Sequence, residues 1–169
     1  MIKVFDHIFP TAYHELLYHF AINSRYQIGS QDGPAPLDRR THLYVHSEWS
    51  EQDLLNFQFP KYLKESAAAD MVGNMRVARA TINLSVPSDT NFIHTHIDQL
   101  VGVYYLNLHW KPEWAGETLF YNDKMTEIIQ SSIYTPNRMI LFDGSIPHTI
   151  RPQAFSAPHY RLTLATFFE

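Results

Sequence analysis

Two short segments constrain the fold of this chain more than any other feature. They are His94-Thr95-His96-Ile97-Asp98 and Asp143-Gly144-Ser145-Ile146-Pro147-His148. Residues i and i+2 of a strand point to the same side. His96 and Asp98 can therefore grip one ion from a single extended segment. His148 follows Asp98 by 50 residues, so it must arrive from another strand. A chain that unites the three has to fold strands back on one another around a small polar centre. The pattern alone is weak, because the chain holds ten histidines. His94 competes with His96, but only His96 has an aspartate two residues on. His94 is therefore expected at the rim, supporting the ligands.

The length of 169 residues suits a single domain over residues 1–169 with a sizeable core. Apolar residues make up 45% and charged residues 18%, a balance suited to unaided folding. Net charge is −4 and no basic stripe is present, which argues against nucleic acid as a partner. Cysteine is absent, which excludes a disulfide framework and a thiolate metal site. The first residues, Met1 to His7, lack the apolar core of a signal peptide, and no run is long enough to span a membrane. A cytoplasmic location is expected.

Periodicity divides the chain. The first half reads as helical. Thr11 is expected to cap a helix with Tyr13, Leu16, Leu17 and Phe20 on one stripe. Ser50-Glu51-Gln52-Asp53 resembles a capping box, and Pro60 suits the first turn of a further helix running through Leu63 towards Met71. The second half reads as strands: Met75 to Leu84, Leu100 to Leu108, Met139 to Phe142, and Arg161 to Phe168. In the last, Arg161, Thr163 and Ala165 share one face; Leu162, Leu164 and Phe168 share the other. The small polar face is expected to look into a barrel and the apolar face to meet the helices. The Gly- and Pro-containing stretch Ile28 to Thr41 reads as a loop near the barrel mouth that covers substrate. The class expected is α+β.

Two histidines and a carboxylate on one face of an octahedral ion form the ligand set of non-haem Fe(II) oxygenases. Further motifs follow in order. They are Val103-Tyr104-Tyr105-Leu106-Asn107, Trp114-Ala115-Gly116-Glu117-Thr118-Leu119-Phe120, Asn137-Arg138-Met139-Ile140-Leu141-Phe142 before His148, and Tyr160-Arg161-Leu162-Thr163. Over roughly Arg76 to Phe168 the chain resembles the 2-oxoglutarate- and Fe(II)-dependent dioxygenases of the prolyl-hydroxylase-like group. The resemblance implies a double-stranded β-helix, a cupin-like jelly roll, with N-terminal helices packed on the major sheet. It implies His96, Asp98 and His148 as iron ligands. Arg161 would pair with the distal carboxylate of 2-oxoglutarate, supported by the Tyr105 hydroxyl and by Thr163. A guanidinium suits that role because it gives two parallel charge-assisted hydrogen bonds. Arg151 is the rival, but it sits beside Pro152 in a surface-turn context.

The chain departs from the family in two places. The step from His148 to Arg161 is 13 residues, and the tyrosine often found before the first ligand has only Asn83 nearby. These departures bear on a prolyl substrate more than on the chemistry.

The implied cofactors are Fe(II), 2-oxoglutarate as co-substrate and O2, with ascorbate as a stimulant. The implied reaction couples oxidative decarboxylation of 2-oxoglutarate to hydroxylation of a C–H bond. Related halogenases have Gly or Ala where the resemblance puts Asp98, so Asp98 favours hydroxylation over halogenation. Three readings stay open: a prolyl hydroxylase of a peptide or protein, an oxygenase of a free amino acid or other small molecule, and a non-catalytic cupin-like metal- or ligand-binding module. Trp49, Trp110, Trp114 and Tyr121 are equally suited to a substrate groove or to ordinary packing. Asn107 reads as a hydrogen-bonding strand end.

Overall fold

The computed structural model describes residues 1–30, 44–87, 89 and 91–169. Its elements run β1 (Ile2–Phe5), α1 (Thr11–Asn23), β2 (Gln27–Ser30), β3 (Tyr44–Trp49), α2 (Glu51–Asn56), α3 (Phe59–Lys64), α4 (Ala69–Val72), β4 (Val77–Ser85), β5 (Leu100–Tyr105), β6 (Thr118–Tyr121), β7 (Ile128–Ser132), β8 (Met139–Asp143), β9 (His148–Ile150) and β10 (Arg161–Phe168). Most of the expected 28–41 loop lies outside the described residues. Only its start is seen, as the end of β2.

The strands form two antiparallel sheets. The larger has seven strands in the order β1-β8-β5-β10-β4-β3-β2, and the smaller has three in the order β7-β6-β9. The architecture is thus mostly antiparallel sheet with few helices. The first half is less helical than its sequence suggests. Strands β1, β2 and β3 lie there, on the outer parts of the larger sheet, in runs of four to six residues. Such runs are too short for alternation to declare itself. In α1 the buried positions are Tyr13, His14, Leu17 and Ala21, whereas Leu16 is half exposed. The stripe is rotated because Ala21 and His14 belong to it and Leu16 does not. Thr11 is the first helical residue, and Pro10 stands in the cap position without a side-chain bond. The capping box at Ser50 and Asp53 forms as its sequence implies.

Strand β10 organises the molecule. It lies between β4 and β5, pairing Thr163 with Asn83 on one side and Tyr105 on the other. Its two faces belong to two cores. Leu162, Leu164 and Phe168 join Tyr13, Leu17, Phe59 and Leu63 from the helices, so the helices cover the outer face of the larger sheet. Ala165 and Phe167 join Tyr105, Phe120, Ile140 and Phe142, which fill the space between the sheets. Fully burying each large apolar side chain of this kind contributes about 1.5–3 kcal/mol. Among the described residues no helix is long and apolar enough to cross a membrane.

Candidate functional site

A small cavity of about 70 Å³ opens between the sheets, with His94, His96, His148, Thr118, Thr163 and Phe167 in its wall. A larger groove of about 300 Å³ runs between the helices and β4, past Trp49, Leu63 and Phe168. The one group of side chains found among the described residues that could hold a metal ion lines the small cavity.

That group is His94, His96 and His148, with one donor atom from each lying within 4.8 Å of the others. Their ring centroids stand 4.4 Å apart for His94 and His148, 4.9 Å for His94 and His96, and 5.3 Å for His96 and His148. Backbone pairing positions them. His94 and His148 exchange both N–H···O bonds, each 3.0 Å, as an isolated antiparallel bridge. The His96 N–H donates to Gly144 O at 2.7 Å, and the Gly144 N–H donates to Gln99 O at 2.8 Å. His148 is buried, and its Nδ1 lies 2.8 Å from Ile146 O. A carbonyl only accepts, so Nδ1 carries the hydrogen and Nε2 the lone pair. His94 has the same arrangement, with Nδ1 3.0 Å from Phe92 O. Burial, then the neighbouring His94, hold the His148 pKa down to about 3, so its imidazole stays neutral.

Asp98, expected in the ligand set, is not in this group. It is exposed in the turn after His96, with φ of 61°, and lines a separate surface cleft with Met1, Gln99 and Ser145. His94, expected at the rim, is in the group instead.

Arg161 is fully buried. Its Nε donates to Gly116 O at 2.9 Å, while Nη1 and Nη2 have no hydrogen-bond partner among the described residues. Its guanidinium carbon lies 4.9 Å from the Tyr134 ring and 5.6 Å from the Tyr105 ring. Burial lowers its pKa, with Tyr105, Tyr134 and Glu117 opposing, but a guanidinium remains charged. A buried cation with two unsatisfied donor ends fits an incoming carboxylate. Arg151, the rival, is exposed and pairs with Glu117 at 3.3 Å.

Tyr105 is buried. Its hydroxyl donates to Ser132 O at 3.1 Å and shares a 2.8 Å bond with Thr118 Oγ1. Thr163 is buried on the Arg161 face of β10 and reaches the cavity wall. Asn107 acts as the expected strand-end bonder, donating to Tyr160 O and accepting from the Leu162 N–H.

Sequence reasoning missed Tyr134. Its ring stacks on Tyr105 at 4.3 Å, and its hydroxyl donates to Asn107 Oδ1 at 2.6 Å and lies 2.5 Å from Leu162 O. No periodic signal marks it, because it lies in the irregular link between β7 and β8. Gly116 was legible only as a motif residue. Its φ is 85°, and a β-carbon there would press on Arg161 Nε at 3.1 Å.

No protein-family model matches the sequence, and no curated protein matches it either. Solved structures do match in fold. A prolyl-4-hydroxylase from Pseudomonas putida superposes with a TM-score of 0.64 at 16% identity, over 99% of this chain and 91% of that one. A prolyl hydroxylase from Trichoplax adhaerens, solved with a hypoxia-inducible-factor peptide, gives 0.62 at 17% identity over 99% and 82%. HygX from Streptomyces hygroscopicus, solved with nickel, 2-oxoglutarate and hygromycin B, gives 0.66 at 11% identity over 99% and 82%. The fold is the one shared by 2-oxoglutarate- and Fe(II)-dependent oxygenases, prolyl hydroxylases included.

Proposed function

We propose that this chain is a 2-oxoglutarate- and Fe(II)-dependent dioxygenase that hydroxylates a C–H bond, and that its two facing sheets are a double-stranded β-helix. One observation carries the reading. Arg161 is sealed in the interior with two donor nitrogens unpaired, on the β10 face that continues through Thr163 to the wall of the histidine cavity. A module that bound only a metal has no use for a buried cation there. A dicarboxylate co-substrate gives it one.

In this reading His96 and His148 are among the donors that hold iron, and Arg161 takes the distal carboxylate of 2-oxoglutarate. The bound metal supplies the activation of O2, and ascorbate keeps it ferrous. The protein's own contributions are local. The carbonyls of Ile146 and Phe92 fix imidazole tautomers, and Gly116 O aligns the guanidinium through Nε. Tyr134 and Tyr105 stack beside the guanidinium, while Thr118 and Ser132 hold the Tyr105 hydroxyl. The apolar walls of Phe120, Phe142 and Phe167 exclude water.

A peptidyl, prolyl-type substrate is the first reading, because a fold relative is solved with a peptide. A small molecule is the second, because HygX is solved with hygromycin B. A cytoplasmic location accords with the ferrous requirement.

The test is anaerobic loading with Fe(II), then O2, ascorbate and 2-oxoglutarate, with succinate measured with and without substrate panels. Mass spectrometry for a gain of one oxygen identifies the product. Succinate in the wild type and none in His148→Ala is expected. No succinate above background with any substrate would overturn the reading.

A further inference from the structure

We infer that the substrate of this site carries a carboxylate, and that Arg79 holds it at the open end of the histidine cavity. The inference rests on the dioxygenase reading above and names the class of molecule which that reading leaves open.

The first support is where Arg79 stands. Arg79, Thr81 and Asn83 alternate along β4 and line the same cavity as His96 and His148. Strand register sets Asn83 beside Thr163 of β10 and Arg79 beside Phe167. Arg161 begins β10, six residues before Phe167, which is about 20 Å of strand. The His96 ring packs edge-on against Phe167, with centroids 4.9 Å apart. His96 thus stands near the Phe167 end. A co-substrate reaching from Arg161 towards the histidines leaves the Arg79 end for the second reactant. Arg79 is exposed, so that end is open to solvent.

The second support is the state of the guanidinium. Its carbon lies 4.2 Å from the centroid of the Phe167 ring. A guanidinium held by its face keeps its N–H donors for another partner. Among the described residues the Arg79 side chain makes no hydrogen bond and no ion pair. A carboxylate that could neutralise it is close at hand, because Glu48 of β3 lies opposite Thr81. Glu48 is engaged elsewhere. It accepts from Thr81 Oγ1 at 3.0 Å and lies 3.8 Å from His46 Nε2.

The third is the charge of the cavity. Among the described residues in its wall, Arg79 is the one with a permanent charge, and none is a carboxylate. A cleft lined by one sign of charge concentrates ligands of the other. A guanidinium grips a carboxylate through two parallel hydrogen bonds, which fixes orientation as well as position. Held so, a substrate would present a C–H bond close to its own carboxylate. Two sources supply that group: the α-carboxylate of a free amino acid, and an acidic side chain in a peptide.

The experiment uses the full chain with Fe(II), ascorbate, O2 and 2-oxoglutarate. The probes are matched pairs: free amino acids with their carboxamides, and the end-blocked peptides Gly-Pro-Glu and Gly-Pro-Gln. Mass spectrometry reads the oxygenated product, and calorimetry on the anaerobic protein loaded with Fe(II) and 2-oxoglutarate reads binding. The acid of a pair should exceed its amide by about tenfold or more in kcat/KM, and the set that responds identifies the source. Arg79→Gln should bring the two together by raising the KM of the acid and not that of the amide. Arg79→Lys should keep part of the preference, since charge stays but the fork is lost. Circular dichroism checks that both variants fold. Equal handling of acid and amide by the wild type, or a preference that survives in Arg79→Gln, would overturn the subsite and leave the dioxygenase reading standing. So would a loss in Arg79→Gln that is the same for acid and amide, or binding of neither member of any pair. Binding of the acids that depends on Arg79, without any succinate, would support the subsite and overturn that reading.

Discussion

Gly144 lies directly against the backbone of His96. The His96 N–H donates to the Gly144 carbonyl at 2.7 Å, and a β-carbon at residue 144 would collide with the His96 carbonyl oxygen. It would also come within 2.9 Å of Gln99 O. The obstacles are backbone atoms, so no side-chain rotation relieves them. Gly144→Ala is therefore expected to shift residues 96–99, to cost about 1–3 kcal/mol of stability, and to weaken metal binding. Urea denaturation and metal calorimetry measure the two effects. An unchanged midpoint with unchanged affinity would show that the segment yields freely.

Arg161→Ala should raise the 2-oxoglutarate KM, because a charge-assisted contact of about 1.5–3 kcal/mol is lost, roughly 10- to 150-fold. Arg161→Lys should fall between, since charge stays but the planar fork goes. Arg151→Ala should leave KM alone, because that side chain is exposed and already paired with Glu117. The opposite pattern in steady-state kinetics would identify Arg151 as the anchor.

His14 makes stability depend on pH. Its Nδ1 lies 2.6 Å from the Tyr104 hydroxyl, which donates to Asn137, and its Nε2 is buried without a hydrogen-bond partner among the described residues. Burial lowers the His14 pKa, so the folded protein keeps it neutral below the ordinary value of about 6.5. From about 6.5 downward the unfolded chain binds more protons than the folded one, and stability falls as pH falls. Metal-free His148 acts with the same sign between about 6.5 and about 3. His14→Gln should flatten the difference between urea midpoints taken near pH 5 and near pH 7.5. An unaltered difference would show that His14 does not carry it.

Metal should stabilise the folded chain by mass action, by about 2.7 kcal/mol at one hundred times its Kd. Thermal melts with Fe(II) or a stand-in ion should therefore rise with ion concentration and fall back with chelator. The rise should be absent in His148→Ala. A rise of equal size in that variant would place the ion elsewhere.

Much of this was legible in the sequence, for a physical reason. Strand β10 could be read residue by residue because it is long and sorts its faces cleanly, with Arg161 and Thr163 on one side and Leu162 and Leu164 on the other. Arg161 could be chosen over Arg151 because a proline neighbour signals a turn. Which side chains gather in the cavity was harder to read. The spacing of His96 and Asp98 satisfies strand alternation, but only if the backbone stays extended, and left-handed φ at Asp98 is not written in residue type. Its neighbour His94 looked peripheral because nothing local shows that it pairs with a residue 54 positions away. Tyr134 was invisible for the same reason: its role comes from stacking on Tyr105 across the fold. Strands β1 to β3 escaped notice because short strands on the outer part of a sheet carry little pattern.

His94 and His148 are bridged through their backbones beside the cavity. The bridge alone closes a ring of roughly fifty residues on two hydrogen bonds, a weak clasp for so long a loop. An ion held at the His148 imidazole would brace that clasp from the side-chain direction. Iron starvation would then unfasten the rim of the smaller sheet and leave the larger sheet shut. The amide hydrogens of His94 and His148 would be the first to exchange with solvent, and they would be protected again when the ion returned. In such a molecule the catalytic metal is also a buckle.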